Sequence, residues 1–189
     1  MKKNAYIISG VTGMTGNELA RQLVKKEENR VVGFDNFFAS SIDSVRDLLG
    51  RENFEFFQYD LNNAKQMEMV GRIALEAVED GCDVFYINCA AVVHTEHFYK
   101  VENTFMTNVT GMKNFLDQAI EIGAKAYINC STSEVYSMQS WNENGGVREC
   151  DYLVLATAEH SQRTSYACGK LMTEFFMKDA VGKGRIKGC

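Results

Sequence analysis

Apolar residues along this chain alternate between two kinds of pattern. Short runs rich in β-branched and aromatic residues predict strands, whereas apolar positions at three- and four-residue spacing predict helices. The strands are expected over 4–9, 30–35, 54–60, 82–91 and 124–132. The helices are expected within 13–30, 40–50, 63–80, 103–123 and 165–181, and residues 184–189 have the pattern of a sixth strand that is beginning.

Strands that alternate with helices are typical of an α/β fold: a doubly wound parallel sheet with helices on both faces. Within the third helix, one side is apolar and should face the core. Gly123 is suited to close the fourth helix, and Ser41 or Asp43 could cap the short second one. The apolar side of the third helix carries Met67, Val70, Ile73, Ala74 and Ala77.

Composition excludes several function classes. The chain has 189 residues, is 46% hydrophobic and 24% charged, and carries a net charge of −5. It lacks the basic cluster of a nucleic-acid-binding protein and the long apolar run of a membrane span, so we expect a cytoplasmic protein. Six cysteines without a C-x-x-C pair predict no metal site. Cys82, Cys89 and Cys130 are expected to be reduced, buried small hydrophobes.

Ligands of doubly wound sheets bind beyond the carboxyl ends of the strands, where the strand order reverses. After the first strand, the sequence SGVTGMTG places Gly10, Gly13 and Gly16 three residues apart. Glycine lets the backbone turn tightly and approach a pyrophosphate, and the helix that follows offers free N–H groups. A strand before and a helix after the loop favour a dinucleotide site over an empty turn.

Asp35 follows the second strand, nineteen residues after Gly16. A dinucleotide site needs an acid there for the adenosine ribose hydroxyls. Because a carboxylate repels a 2′-phosphate and no arginine is adjacent, this position favours NAD over NADP.

The remaining strand ends carry further candidates. Asp60 and Leu61 follow the third strand, where an adenine ring would lie. Cys89, Ala90 and Ala91 follow the fourth strand with side chains small enough for a close cofactor. The fifth strand leads into a hydroxyl-rich run that is either a turn or part of a site. That run is Ser131, Thr132, Ser133, Glu134 and Tyr136.

Tyr166 and Lys170 are four residues apart in the last predicted helix and therefore share one face. Alone, such a pair is either a solvated helix face or a catalytic pair. A free tyrosine has a pKa near 10, too high for a base at neutral pH, and a nearby lysine cation is expected to lower it.

Taken in order, GVTGMTG, FDN, YDL, CAA, NVTGMKNFL, STSEVY and YACGK resemble the extended short-chain dehydrogenase/reductase family. Within it the chain is similar to the NAD-dependent nucleotide-sugar epimerases and dehydratases. The resemblance implies a Rossmann fold, NAD as cofactor and a nucleotide-sugar as substrate. The implied NAD contacts are Gly10, Gly13, Met14, Thr15, Gly16, Asp35, Asn36, Asp60, Leu61, Ala90, Ala91, Thr107, Tyr166 and Lys170.

The resemblance also implies a catalytic set of Thr132, Tyr166 and Lys170. Tyr166 would take the proton from a sugar hydroxyl at C4 while hydride leaves for NAD. Glu134, with Ser133 as relay, would act at C5 as in sugar 4,6-dehydratases and uronic-acid decarboxylases. Epimerase, dehydratase and decarboxylase chemistry remain open at this point.

Family members continue past this point into a domain that grips the nucleotide-sugar. Residues 1–189 are therefore expected to be an NAD-binding domain truncated within its sixth strand. The alternative to an enzyme is a non-catalytic NAD-binding module or an inactive fragment. Family members often form homodimers, which here would pair helices 104–122 and 165–181.

Overall fold

A computed structural model describes residues 3–93, 100–139, 146–152, 154–157, 159 and 163–189. Its five strands form one parallel sheet in the order β3-β2-β1-β4-β5. They are β1 (Asn4–Ser9), β2 (Asn29–Asp35), β3 (Phe54–Gln58), β4 (Asp83–Asn88) and β5 (Ala126–Asn129). The strand order reverses between β1 and β4, so the predicted doubly wound sheet is confirmed.

The helices lie between the strands, as the alternating pattern predicted. They are α1 (Met14–Leu23), α2 (Ala64–Glu79), α3 (Val101–Phe105), α4 (Met112–Ile122) and α5 (Arg163–Gly182). A π-helical segment over Met106–Gly111 joins α3 to α4, so that together they form the single long helix that the sequence predicted. Gly123 ends it with φ +75°, as expected of a glycine that closes a helix.

Both faces of the sheet bury apolar side chains. On one face, α2 and α4 cover β1 and β4, and the predicted side of α2 is buried there, with Ile73 packed at its edge. On the other face, α1 packs with Val45 and Leu48 over Ile8 and Val31. Strands covered on both sides must be apolar nearly throughout, which explains the continuous apolar runs in the sequence.

Two sequence predictions need correction. The helix expected over 40–50 is a short 3₁₀ turn, Ile42–Val45, and the Ser41 side chain does not cap it. Val45, at the end of this turn, and Leu48, in the turns that follow it, are both buried, so the segment covers the core without an α-helix. Strands β3, β4 and β5 are also shorter than predicted, whereas β1 has its predicted bounds and β2 begins one residue earlier.

Residues 184–189, for which the sequence predicts the beginning of a sixth strand, bring their last residues next to β5. Tyr127 pairs with Gly188 in a parallel bridge. The N–H groups of Tyr127 and Asn129 donate to the carbonyls of Lys187 and Cys189 at 2.8 Å each.

A line of polar side chains crosses the carboxyl end of the sheet inside the core. Ser9 Oγ donates to Asn88 Oδ1 at 2.6 Å, and Asn88 Nδ2 donates to Asn129 Oδ1 at 2.9 Å. Asn129 Nδ2 then donates to Thr173 Oγ1 on α5 at 2.9 Å. The line joins β1, β4 and β5 to the last helix, and we call it the amide chain.

Replacing Asn88 by alanine should destabilise the fold through the amide chain. Ser9 and Asn129 would each lose a buried partner, so we expect Asn88→Ala to lower the free energy of unfolding by about 2 kcal/mol or more. Urea unfolding measures this loss. Asn114→Ala on the exposed surface of α4 is the matched control and should cost nothing, since alanine favours helix. A loss below about 0.5 kcal/mol for Asn88→Ala would contradict a structural role for the amide chain.

Candidate active site

The carboxyl ends of β1, β2, β3 and β4 open into a cleft of about 650 Å³. Every NAD contact predicted from the sequence lines this cleft, apart from Tyr166 and Lys170. The lining also includes residues that the sequence did not single out as cofactor contacts. These are Phe34, Phe38, Ala39, Ser40, Tyr59, Asn62, Val92, Val93, Asn103 and Met106. Cys89, which the sequence placed beside the cofactor with Ala90 and Ala91, also lines the cleft.

The glycine loop has no room for side chains at two of its positions. Gly10 has φ +69°, and a Cβ there would lie 2.6 Å from the backbone nitrogen of Ala90. A Cβ on Gly16 would lie 2.3 Å from the carbonyl oxygen of Gly10. Any larger residue would therefore push α1 away from β1 or β1 away from β4.

Helix α1 points its N-terminus into the cleft. Gly13 is its N-cap, no side chain caps the first turn, and no acidic residue lies in that turn. The free N–H groups and the positive end of the helix dipole therefore suit an anion such as a pyrophosphate. Met14, which is 87% exposed, leaves the approach to these groups open.

Asp35 is fixed at the end of β2 by backbone donors. Its Oδ2 accepts from the N–H of Thr12 at 3.3 Å, and its Oδ1 accepts from the N–H of Phe37 at 2.8 Å. Each carboxylate oxygen keeps a further lone pair for a ribose hydroxyl. Phe37 has φ +60°, a costly conformation for a bulky residue, and this strained turn was not foreseen in the sequence.

Polar contacts tie the adenine side of the cleft together. Asn36 Nδ2 donates to Asp60 Oδ2 at 3.0 Å, which links the ends of β2 and β3. Asn62 Nδ2 donates to Thr107 Oγ1 at 2.9 Å, and Asp60 Oδ1 accepts from the N–H of Asn62 at 2.7 Å. Thr107 lies in the π-helical segment, so this contact holds that segment at the cleft.

Asn108 was missed in the sequence. It lies one residue after Thr107, is buried, and pairs with the backbone of Val92 through both ends of its amide. The N–H of Val92 donates to Asn108 Oδ1 at 2.7 Å, and Asn108 Nδ2 donates to the Val92 carbonyl at 3.2 Å. The π-helical turn places this amide against the loop after β4. An asparagine among polar helix residues gives no sequence signal of this role.

Together these residues fit a dinucleotide. The glycine loop forms a cradle that a Cβ on Gly10 or Gly16 would fill. The first N–H groups of α1 are not capped by a side chain, and the Asp35 carboxylate stands at the end of β2. Among the described residues, no three His, Cys, Asp or Glu side chains come together to hold a metal ion. In the same part of the chain, no helix is both long and apolar enough to cross a lipid bilayer.

Tyr166 and Lys170 lie one turn apart on the buried side of α5, with 7% and 2% of their surface exposed. They are therefore not on a solvated helix face. Lys170 Nζ donates to the carbonyl of Cys130 at 2.7 Å, just beyond β5. Burial lowers the pKa of Lys170 to about 8, although negative charge on Cys130 and Cys89 would raise it.

The structure brings Thr132 and Glu134 to Tyr166. Burial raises the pKa of Tyr166, a hydrogen bond with Thr132 opposes this, and the Glu134 carboxylate adds to it. We expected Lys170 to lower this pKa, but burial reverses the direction, and Lys170 bonds the Cys130 carbonyl. Ser133 is exposed at the start of a 3₁₀ helix, Ser133–Gln139.

The predicted catalytic residues thus form a second group beside the cleft rather than within its lining. The two groups meet at Cys89, which lines the cleft, and Cys130, whose Sγ lies 3.7 Å from the Cys89 Sγ. Cys82, Cys89 and Cys130 are free thiols, as expected, but they are only partly buried, so the expectation that they are buried needs correction. Cys89 and Cys130 follow strands at the sheet end, where the core gives way to the cleft.

Known proteins share this fold and parts of this sequence. UDP-glucuronic acid decarboxylase 3 of Arabidopsis thaliana is 33% identical over 132 residues, which cover 69% of this chain and 34% of that protein. A UDP-N-acetylglucosamine 4-epimerase of Methanobrevibacter ruminantium, solved with UDP-N-acetylmuramic acid, superposes with a TM-score of 0.77 at 18% identity. That comparison covers 100% of this chain and 54% of the epimerase.

A UDP-glucuronic acid 4-epimerase of Bacillus cereus, solved with NAD, has a TM-score of 0.74 at 20% identity. That comparison covers 97% of this chain and 54% of the epimerase. The chain therefore spans about half the length of these solved proteins.

A family model described as "NAD dependent epimerase/dehydratase family" matches residues 6–189. This match confirms the resemblance drawn from the motifs and, at the level of the family, NAD as the cofactor. With the reversed strand order and the glycine cradle, it shows that the chain belongs to the NAD dependent epimerase/dehydratase family.

Proposed function

We propose that residues 1–189 are the NAD-binding domain of a nucleotide-sugar epimerase or dehydratase that begins its reaction by oxidising a sugar hydroxyl at C4. The observation that carries this proposal is the buried pair of Tyr166 and Lys170 on one face of α5, with Thr132 at the tyrosine. This group stands beside a cleft whose lining fits a dinucleotide. The 4-epimerases and decarboxylases among the relatives support the same substrate class.

In this mechanism the phenolate of Tyr166 accepts the proton of the sugar hydroxyl. Thr132 donates a hydrogen bond that holds the oxygen and favours the phenolate. NAD, when bound, supplies a positively charged nicotinamide ring that accepts the hydride and further favours the phenolate. Lys170, with a pKa of about 8, is largely cationic at pH 7 and would hold the nicotinamide ribose.

Glu134 would serve the step after oxidation. A 4-keto sugar has an acidic proton at C5, and a carboxylate held near Tyr166 can remove it. Ser133, which is exposed beside it, would relay that proton. This assignment favours dehydratase or decarboxylase chemistry, whereas a simple 4-epimerase would not need Glu134.

A non-catalytic NAD-binding module, or an inactive fragment, is the alternative. It requires the glycine cradle and Asp35 but has no use for a buried Tyr166 and Lys170 beside Thr132. It predicts NAD binding without turnover of any nucleotide-sugar.

The cofactor site can be tested at Asp35. Asp35→Ser removes a charged acceptor of ribose hydroxyls, so we expect NAD⁺ to bind about tenfold more weakly, or about 1.4 kcal/mol. The preference for NAD⁺ over NADP⁺ should shrink by a similar factor, because the carboxylate no longer repels a 2′-phosphate. Calorimetric titration of both cofactors measures this. Asp117→Ser, at an exposed carboxylate on α4, should change neither affinity.

The catalytic proposal can be tested at Tyr166. In an assay of nucleotide-sugar turnover, Tyr166→Phe should lower kcat by about 10²-fold to 10⁴-fold, because the proton acceptor is gone. NAD⁺ affinity should stay within about threefold, which is below 1 kcal/mol. Tyr152→Phe, at a fully exposed tyrosine, is the matched control. Full turnover in Tyr166→Phe would overturn the proposed base. If neither the unmodified protein nor Tyr166→Phe turned over any nucleotide-sugar, the binding module would be favoured.

We also propose that two copies pair through α3, α4 and α5. Phe105 and Phe175 are apolar residues on these helices that remain 54% and 57% exposed. Phe175→Glu would place a charge at the centre of a self-complementary contact. We expect it to convert a dimer into a monomer in analytical ultracentrifugation, whereas Leu75→Glu on α2 should leave the dimer intact. A monomeric unmodified chain would contradict this pairing.

A further inference from the structure

Cys89 and Cys130 stand opposite each other where β4 and β5 end. The strand register pairs Asn88 with Asn129, and the N–H of Cys130 donates to the carbonyl of Asn88 at 3.0 Å. The two Sγ atoms are 3.7 Å apart. The cysteines are therefore a contact pair directly after two paired strands, held by backbone hydrogen bonds to the neighbouring strand ends.

The backbone spacing at this pair suits a disulfide. Neighbouring strands lie about 4.8 Å apart, and disulfides join Cα atoms about 4.4–6.8 Å apart. The sulfurs need to approach from 3.7 Å to about 2.05 Å, which a rotation of the side chains can supply.

The two thiols differ in acidity. A hydrogen bond from the Cys89 thiol lowers the pKa of Cys130 to about 6, burial opposes this, and the Lys170 cation adds to it. The same hydrogen bond and burial raise the pKa of Cys89. These shifts favour the thiolate on Cys130 and the proton on Cys89, as an attacking and a resolving cysteine require.

We propose that Cys89 and Cys130 are a redox-active dithiol at the edge of the cofactor cleft, which a hydroperoxide converts into a disulfide. The Cys130 thiolate attacks the peroxide oxygen, the O–O bond breaks, and Cys130 becomes a sulfenic acid. Cys89 then attacks that sulfur, the S–O bond breaks, and water leaves. In sum, two electrons pass from the two thiols to the hydroperoxide. When the hydroperoxide is hydrogen peroxide, the products are the disulfide and two waters.

This modification would act on Lys170. Negative charge on Cys130 raises the pKa of Lys170, and burial lowers it. A disulfide removes that charge, so Lys170 would lose its proton at lower pH. Cys89 also lines the cleft, so the oxidised pair would reshape its wall. The inference goes beyond the proposed function, because the disulfide forms whether or not a sugar is turned over.

The disulfide itself is the first readout. The reduced chain is treated with one equivalent of hydrogen peroxide, blocked with N-ethylmaleimide, and digested with trypsin and a protease that cuts before aspartate. Cleavage before Asp83 separates Cys82 from Cys89, so that peptides 83–100 and 126–148 each contain one cysteine. We expect these two peptides to be linked, with two hydrogens less than their summed mass, and to separate with dithiothreitol.

Variants and unfolding provide the controls. Cys89→Ser and Cys130→Ser should each abolish the link, and Cys168→Ser, at an exposed cysteine on α5, should leave it unchanged. In urea the selectivity for this pair should disappear, because the register of β4 and β5 is lost. The proposal would be overturned if Cys89 and Cys130 stayed free while the exposed cysteines were oxidised. A scrambled set of links in the folded chain would overturn it as well.

A second readout follows the unmodified thiols. The rate at which iodoacetamide labels Cys130 should reach half its maximum near pH 6, well below the value of about 8.5 for a free thiol. Cys89→Ala removes the hydrogen-bond donor and should move this midpoint upward. The other titratable groups that interact with the pair are Lys170 on α5 and Tyr127 on β5. A Cys130 midpoint near 8.5 would contradict the assigned roles.

Discussion

The amide chain is the constraint on which both halves of the site depend. Ser9, Asn88 and Asn129 are polar groups inside the sheet, where an unpaired amide is costly, so each must stay within hydrogen-bonding distance of the next. The last link, from Asn129 to Thr173, fixes α5 against the sheet. The strand that starts the glycine loop and the helix that carries Tyr166 and Lys170 therefore share one frame.

Close packing between β1 and β4, where the strand order reverses, fixes the position of the glycine loop as well. The Gly10 backbone lies against Ala90, so β1 and β4 end side by side with no space for a Cβ. Gly16 brings α1 equally close to the loop. If the amide chain let β4 shift relative to β1, this approach would open and the helix N-terminus would turn away from the cleft. Binding geometry is thus set by packing and hydrogen bonds beneath the site.

The sequence predicted the parts of this arrangement that are local. The strands and most helices follow from apolar spacing, and the glycine loop and Asp35 follow from their distance to a strand end. The sequence did not predict Asn88, Asn129 and Thr173, because a polar residue in a strand has no local signal of its partner. The same holds for Cys89 and Cys130, whose contact exists only once the register of β4 and β5 is fixed. For the 3₁₀ turn after β2 the sequence predicted an α-helix, because buried residues three apart, such as Val45 and Leu48, occur both in α-helices and in successive turns.

Lys170 joins the proposed chemistry to the dithiol. A buried ammonium is costly unless it is paired; here the Cys130 carbonyl accepts its hydrogen bond, and the proposed Cys130 thiolate would add an opposite charge. A lysine with a pKa of about 8 changes its charge close to neutral pH, whereas a free lysine, with a pKa of about 10.4, does so only in basic solution. Burial is the main cause of this low pKa, and the charge of the cysteines beneath Lys170 opposes it. Oxidation of the pair would then act on the proposed catalytic group through the protonation of this one buried lysine.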